Sequence, residues 1–270
     1  MLIIIFSKDR ALQLSATIDS LLATCKETSL LNIYVLYTTS SELHEQQYRE
    51  LDKQYLNVKF RKETRFKENL ISILLSGNYP YVLFCVDDTI FIKKFSIKEI
   101  TNHLHIQEGS LGFSLRLGLN TTYCYMLDKP QILPKVDFIS DNVIKYNWVT
   151  AEYDFEYPLE LSSSVYKTYL ILALIRNKEF HNPNSLESLL NVYKTPYKNI
   201  FNELLCYKVS VAFSNPCNIV QVKKTNRHGK LNADDLAIKF SEGYRLDISK
   251  YYGLVTSSVH QEEPLYFKEI

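Results

Sequence analysis

The chain has 270 residues, 46% hydrophobic and 23% charged, which is the composition of an ordinary globular protein with enough length for a substantial core. A formal net charge of +1 argues against bulk binding of nucleic acid. The chain has only 7 glycines and neither GxGxxG nor GxxxxGK[ST], which argues against glycine-built phosphate loops. The 5 cysteines are scattered and form no CxxC, so a reducing compartment fits better than a disulfide framework or structural zinc.

The opening run "MLIIIF" predicts a fully buried parallel strand. No basic region precedes it, and it is too short for a signal peptide. Polar "SKDR" follows as a turn, and then "ALQLSATIDSLLATC" sets Leu12, Ala16, Ile18, Leu21, Leu22 and Cys25 at helical spacing. "NIYVLYT" reads as a second strand. "SELHEQQYRELDKQY" reads as an amphipathic helix with Ser41 as its cap. "NVKFRKE" is a short third strand, "RFKENLISILLSG" a third helix closed by Gly77, and "YVLFCV" a fourth strand. This alternation predicts an α/β sandwich with a mostly parallel sheet. In open sheets of this kind ligands bind beyond the carboxyl ends of the strands, where Ser7–Arg10, Thr38–Ser40 and Asp87–Thr89 all lie.

The second half is less regular. "SIKEITNHLH" reads as a helix and "SLGFSLRLG" as a strand, whereas residues 120–158 show no long period. Residues Ser162–Asn177 read as a serine-capped helix, and "NPNSLESLLNVY" as a helix with Pro183 in its first turn. "KVSVAFSNPCNIVQVKK" has strand-like stretches broken by Pro216, and "NADDLAIKFSEG" is a last helix ending near Gly243. The longest later apolar run, "YLILALI", is far below membrane-spanning length. A soluble, cytoplasmic chain is expected, with peripheral membrane contact left open and oligomeric state unspecified. The expected anatomy is a nucleotide-binding half and a substrate-binding half, residues 1–118 and 119–270, packed as one continuous domain.

The two carboxylates that end the fourth strand, Asp87 and Asp88, have two readings. Aspartate readily bonds its own backbone in turns, so the pair serves a turn. Alternatively it holds a cation, because Mg²⁺ is typically bound by one or two carboxylates plus substrate phosphates.

"IIIFSKDRALQLSATIDSLL" and "YVLFCVDDTIFIK" together resemble the opening and the DxD region of GT-A-fold glycosyltransferases related to family 2. The resemblance implies a GT-A-like three-layer sandwich and a metal-dependent sugar transfer from a nucleotide-sugar donor to an acceptor hydroxyl. It further implies a glycan or lipid-linked acceptor and a place in bacterial surface glycan synthesis. The implied cofactor is Mn²⁺ or Mg²⁺, seated on Asp88, with Asp87 at the ribose or behind the metal. The chain departs from the usual pattern in having Val86 where an acidic residue often stands. "NWVTAEYDFEYPLELSSSVY" resembles a later stretch of such enzymes, with Ser162, Ser163 and Ser164 in place of an Asp-Gly-His.

On this resemblance Ser7, Asp9, Arg10, Arg65, Lys67 and Asn69 are candidates for the donor nucleotide and its diphosphate. His228 in "TNRHG" is a candidate second metal or diphosphate ligand. Asp154 is the candidate general base of an inverting transfer, with Glu152 and Glu187 competing for the role. Trp148, Tyr157 and His181 are candidates for the acceptor sugar. Two other classes stay open. A nucleotidyltransferase would use the same carboxylate–metal logic, but "FSKDRALQL" lacks the expected glycine-rich loop. A nucleotide-sugar-binding module without catalysis is the other.

Overall fold

The computed structural model describes residues 1–218 and 227–270. The first third alternates as the sequence predicts. The strands are β1 (Leu2–Lys8), β2 (Asn32–Thr38), β3 (Val58–Lys62) and β4 (Tyr81–Val86). Helices α1 (Ala11–Thr24), α2 (Glu42–Gln54) and α3 (Phe66–Leu74) connect them. Ser41 caps α2 by accepting the His44 N–H, as its position before the apolar pattern suggests. Helix α3 ends before Gly77: the Leu75 N–H bonds back to Ile71, and Gly77 does not take the left-handed conformation expected of a closing glycine.

After β4 come β5 (Thr89–Phe91), α4 (Ile97–Ile106) and β6 (Ser110–Ser114). The irregular middle holds two-residue β7 (Tyr123–Cys124) and β8 (Lys129–Pro130), then β9 (Val136–Phe138) and β10 (Val143–Asn147). β11 (Ser163–Lys167), α5 (Thr168–Ile175), α6 (Pro183–Tyr193), β12 (Glu203–Tyr207) and β13 (Ala212–Ser214) follow. The chain closes with α7 (Ala233–Ser241), β14 (Tyr244–Leu246) and β15 (Phe267–Glu269). Gly243, with φ of +88°, follows α7 where the sequence places its end.

One nine-stranded sheet organises the fold, in the order β3-β2-β1-β4-β11-β6-β12-β10-β9. The β3-β2-β1-β4 half is parallel throughout. β11 and β10 run against the other strands, so the sheet is mixed but mostly of one direction. Side chains alternate across it. Ile3 and Ile5 join one core with α1, α2, α4 and α7; Leu2, Ile4 and Phe6 join the other with α3, α5 and α6. Both faces are therefore covered, which is why β1 reads as an unbroken apolar run. The result is the three-layer α/β sandwich that the resemblance implies. Among the described residues, no helix is long and apolar enough to cross a membrane.

The helix predicted over Ser162–Asn177 is corrected. Its first third is strand β11, inserted antiparallel between β4 and β6, and the helix proper begins only at Thr168. Val165 and Tyr166 point into opposite cores, the period-two pattern of a strand. Tyr166 pairs with Gly112 across the ladder, and a Cβ on Gly112 would meet the Tyr166 ring at 2.6 Å. The ring occupies the space that only glycine leaves. Gly112→Ala should therefore cost about 1–3 kcal/mol by overpacking, read as a lower urea midpoint with an unchanged slope.

Candidate active site

The carboxyl ends of β1, β2 and β4 meet at one edge of the sheet. Asp87 joins two of them. One carboxylate oxygen accepts the Ser7 hydroxyl at 2.9 Å and the Lys8 N–H at 3.1 Å; the other accepts Arg10 Nη1 at 3.0 Å. Its carbonyl accepts the Thr17 hydroxyl at 2.8 Å. Tyr48, buried on α2, shares a hydrogen bond with Ser7 and accepts the Arg10 N–H at 3.3 Å. Asp9 adopts φ of +55°, and its carboxylate takes the Ser40 N–H at 2.7 Å, tying the β1 turn to the β2 turn.

Asp87 and Asp88 form the turn between β4 and β5, so the turn reading holds for their backbone. The Asp88 carbonyl accepts the Asn215 N–H at 2.9 Å beside β13. Its side chain is half used. Oδ2 lies 3.3 Å from Arg10 Nη1, whereas Oδ1 is buried with no hydrogen-bond partner. Burial pushes the Asp88 carboxyl up to about 6, against the pull of Arg10 and with the help of the Asp87 charge. Burial works against the Arg10 cation too, but Asp87 and Asp88 outweigh it and raise its pKa further.

These groups line a cleft of about 740 Å³. Ser7, Lys8, Arg10, Asp87 and Asp88 form one wall; Met126, Glu187, Arg227, His228 and His260 are on others. His228 reaches the cleft because Gly229 packs against the backbone of Cys217, where a Cβ would sit at 2.7 Å, and bonds Pro216 through its N–H. The structure thus brings Ser7, Arg10, Asp87, Asp88 and His228 into one cavity from positions up to 221 residues apart in number, 7 to 228.

Other candidates fall elsewhere. Arg65 is exposed and pairs with Glu68 at 3.5 Å, and Lys67 pairs with Glu179 at 2.6 Å. The Asn69 side-chain Oδ1 accepts the Thr64 and Arg65 N–H groups, so it holds the turn into α3. None of the three lines the cleft. Trp148 is in the core, 1% exposed, with its N–H on the Phe201 carbonyl, so it presents no face to a sugar. Tyr157 is half-buried and His181 exposed at the entry to α6, and neither lines the cleft. Asp154 and Glu152 sit outside the cleft as well. Burial lifts the Asp154 pKa, and one of its oxygens has no hydrogen-bond partner.

Sequence reasoning missed a second buried charge cluster. Arg116 and Glu160 form an ion pair at 2.8 Å with side chains 6% and 7% exposed. Glu160 also accepts the Ser163 N–H at 3.2 Å, the Ser162 N–H and the Ser164 hydroxyl. The three serines are therefore the polar partners of a buried carboxylate. Arg116 reaches Ser214 at 3.1 Å and His260 at 3.3 Å. Burial, then the Arg116 charge, push the His260 imidazole down to about 3. The signal in the sequence was a charge inside each of two apolar runs, "SLRLG" and "YPLEL".

Two outcomes follow from these charges. Asp88 titrates higher folded than unfolded, so its contribution to stability is full below its ordinary value of 3.8 and lost as pH rises through about 6. Asp88→Asn should be more stable than the parent by on the order of 2 kcal/mol above pH ~7, a gap that closes towards pH ~4 in denaturation curves. Glu160→Ala should cost about 3–5 kcal/mol by leaving Arg116 buried without its partner, measured by thermal or urea unfolding.

No protein-family model matches the chain. It is 32% identical over 180 residues to the bifunctional glycosyltransferase pgtA of Dictyostelium discoideum, covering 61% of this chain and 23% of that protein. The chain thus spans under a quarter of that relative's length. Among solved structures, S. aureus TarS 1-349 is 14% identical with a TM-score of 0.47, covering 79% of this chain and 60% of that one. The mannosyltransferase PcManGT from Pyrobaculum calidifontis, in complex with GDP-Man and Mn²⁺, is 11% identical with a TM-score of 0.45, covering 75% and 53%. The resemblance of this chain to glycosyltransferases is therefore carried by a sequence relative as well as by its motifs.

Proposed function

We propose that the chain is a metal-dependent glycosyltransferase that moves a sugar from a nucleotide-sugar donor to a hydroxyl of a glycan or lipid-linked acceptor, in surface-polysaccharide synthesis. The observation that carries this reading is Asp88 Oδ1: a buried carboxylate oxygen without a partner, on a residue lining a cleft at the carboxyl end of a parallel strand. An orphaned carboxylate oxygen is costly unless something binds it. Among the described residues no three His, Cys, Asp or Glu side chains form a metal cage. A single carboxylate oxygen suits Mg²⁺ or Mn²⁺, which keep waters and take ligands from substrate phosphates. Asp88 would hold the ion, with His228 in the same cleft as a second ligand. A bound ion supplies Lewis-acid help to the departing diphosphate.

The chain's own residues do the rest. Asp87 holds Ser7, Lys8 and Arg10 in place, and Lys8 and Arg10 bring positive charge to the wall a diphosphate would meet. This assigns donor binding to the half containing residues 1–118. The facing wall, with Glu187 and Arg227, comes from residues 119–270 and is assigned to the acceptor. For an inverting transfer the base is Glu187 rather than Asp154 or Glu152, because of the three only Glu187 lines the cleft. The acceptor oxygen attacks the anomeric carbon and the bond from that carbon to the diphosphate oxygen breaks. The hydroxyl proton passes to Glu187, and the nucleoside diphosphate leaves.

The test is release of nucleotide from UDP-, GDP-, CMP- and dTDP-sugars, with Mn²⁺ present or chelated. One donor class should be turned over in a Mn²⁺-dependent way. Asp88→Ala should lower turnover by about 10²-fold or more with the fold intact, and Glu187→Gln by a similar factor. Absence of any donor-induced thermal shift in the presence of Mn²⁺ would overturn the transferase reading.

A further inference from the structure

A second cleft, of about 910 Å³, opens at the opposite end of the central sheet. Pro80 and Tyr81 line it where β4 begins, and Lys167 lines it where antiparallel β11 ends. The first cleft takes Val86, Asp87 and Asp88 from the other end of β4. Six residues of strand separate the two by about 20 Å.

Lys167 is 9% exposed, and its ammonium donates to the Glu108 carbonyl at 3.1 Å and lies 5.8 Å from the centre of the Phe201 ring. It forms no salt bridge among the described residues; Glu108, an exposed residue on the rim, acts on it only at longer range. Burial pushes the ammonium pKa down, the mark of a cation without a close carboxylate. Thr168 is 5% exposed, and its hydroxyl is buried with no hydrogen-bond partner. It opens α5, whose first turn has neither a side-chain cap nor an acidic residue. A helix start carries unsatisfied N–H groups and about half a positive charge; in α5 the Thr168 N–H is already taken by the Pro80 carbonyl at 2.9 Å, and the N–H groups after it are the ones on offer. An ammonium, a spare hydroxyl and a helix start therefore meet at one wall. The rest of the lining is mixed: Tyr79, Leu172 and Tyr169, the last 60% exposed, give it an apolar and aromatic part, and Asn78, His105 and Glu108 a polar one.

We infer that this second cleft is an oxyanion-binding site for a ligand that joins a phosphate or carboxylate group to an aromatic or apolar body. Lys167, Thr168 and the start of α5 take the anion, and Tyr79, Tyr169 and Phe201 take the body. None of these residues lines the first cleft. The site is independent of the transferase reading.

Calorimetric titration of the full chain with phenyl phosphate, benzoate, inorganic phosphate and phenol tests this. Phenyl phosphate or benzoate should bind more tightly than inorganic phosphate or phenol, and the tighter of the two identifies the anion as phosphoryl or carboxylate. Lys167→Met should weaken binding at least tenfold. Tyr169→Ala, at an exposed position that folding does not depend on, should weaken phenyl phosphate or benzoate and leave inorganic phosphate unchanged. Asp88→Ala should leave all four unchanged. The inference is overturned if neither phenyl phosphate nor benzoate binds at millimolar concentration. Unchanged binding by folded Lys167→Met and by Tyr169→Ala, or loss of binding in Asp88→Ala, overturns it equally.

Discussion

The Asp87 carboxylate is the constraint on which the site depends. It is 4% exposed, and a buried carboxylate is expensive unless its oxygens are satisfied. Ser7, Lys8 and Arg10 satisfy them, and all three come from the end of β1 or the turn that follows. One side chain thus fixes the relative position of two neighbouring parallel strands at the end where a ligand would enter. The geometry of Asp88 follows from this. Its neighbour has taken the Ser7 and Lys8 donors and a share of Arg10, so Asp88 retains an oxygen with nothing to bind. Val86, which replaces an acid in the usual pattern, is half-buried at the end of β4 and offers no second carboxylate.

Two clusters of buried charge lie around β4 and β11. Arg10 is paired with Asp87 and Asp88, and Arg116 is paired with Glu160. The Arg116 charge reaches far enough to lower the Asp88 pKa slightly and to help keep His260 neutral. The clusters divide the labour physically. The first leaves an unsatisfied carboxylate oxygen in the cleft; in the second every Glu160 oxygen is engaged, holding the serines and the wall in place. An unmet carboxylate oxygen beside a fully engaged one is the expected state of a binding site waiting for charge.

The two clefts share one scaffold. β4 and β11 run antiparallel, so the same pair of strands delivers Asp87 and Asp88 to one end and Lys167 with Thr168 to the other. A pocket with a partly unsatisfied carboxylate and one with a lysine that forms no salt bridge among the described residues stand at opposite ends of the same ladder.

Much of the first ninety residues was legible from sequence because local rules act alone there. Both-face burial makes β1 and β4 continuous apolar runs, Ser41 caps α2, and the alternation of strand and helix fixes parallel order. The same signals placed Ser7, Arg10, Asp87 and Asp88 at strand ends. Tertiary structure decided the rest. Ser163–Lys167 is a strand inserted between β4 and β6, and its serines serve Glu160 just before it, whose charge is answered by Arg116 from another strand end. Trp148 is taken by core packing and Asn69 by a turn, and Asp154 lies outside the cleft. His260 joined it from a loop position that no periodicity marks, and Glu187, one of three candidate bases in the sequence, is the one of them that the fold brings to the cleft. The physical reason is common to all of these: apolar periodicity is written in neighbouring residues, whereas the partner of a buried charge is chosen by whatever the folded chain brings within about 3 Å.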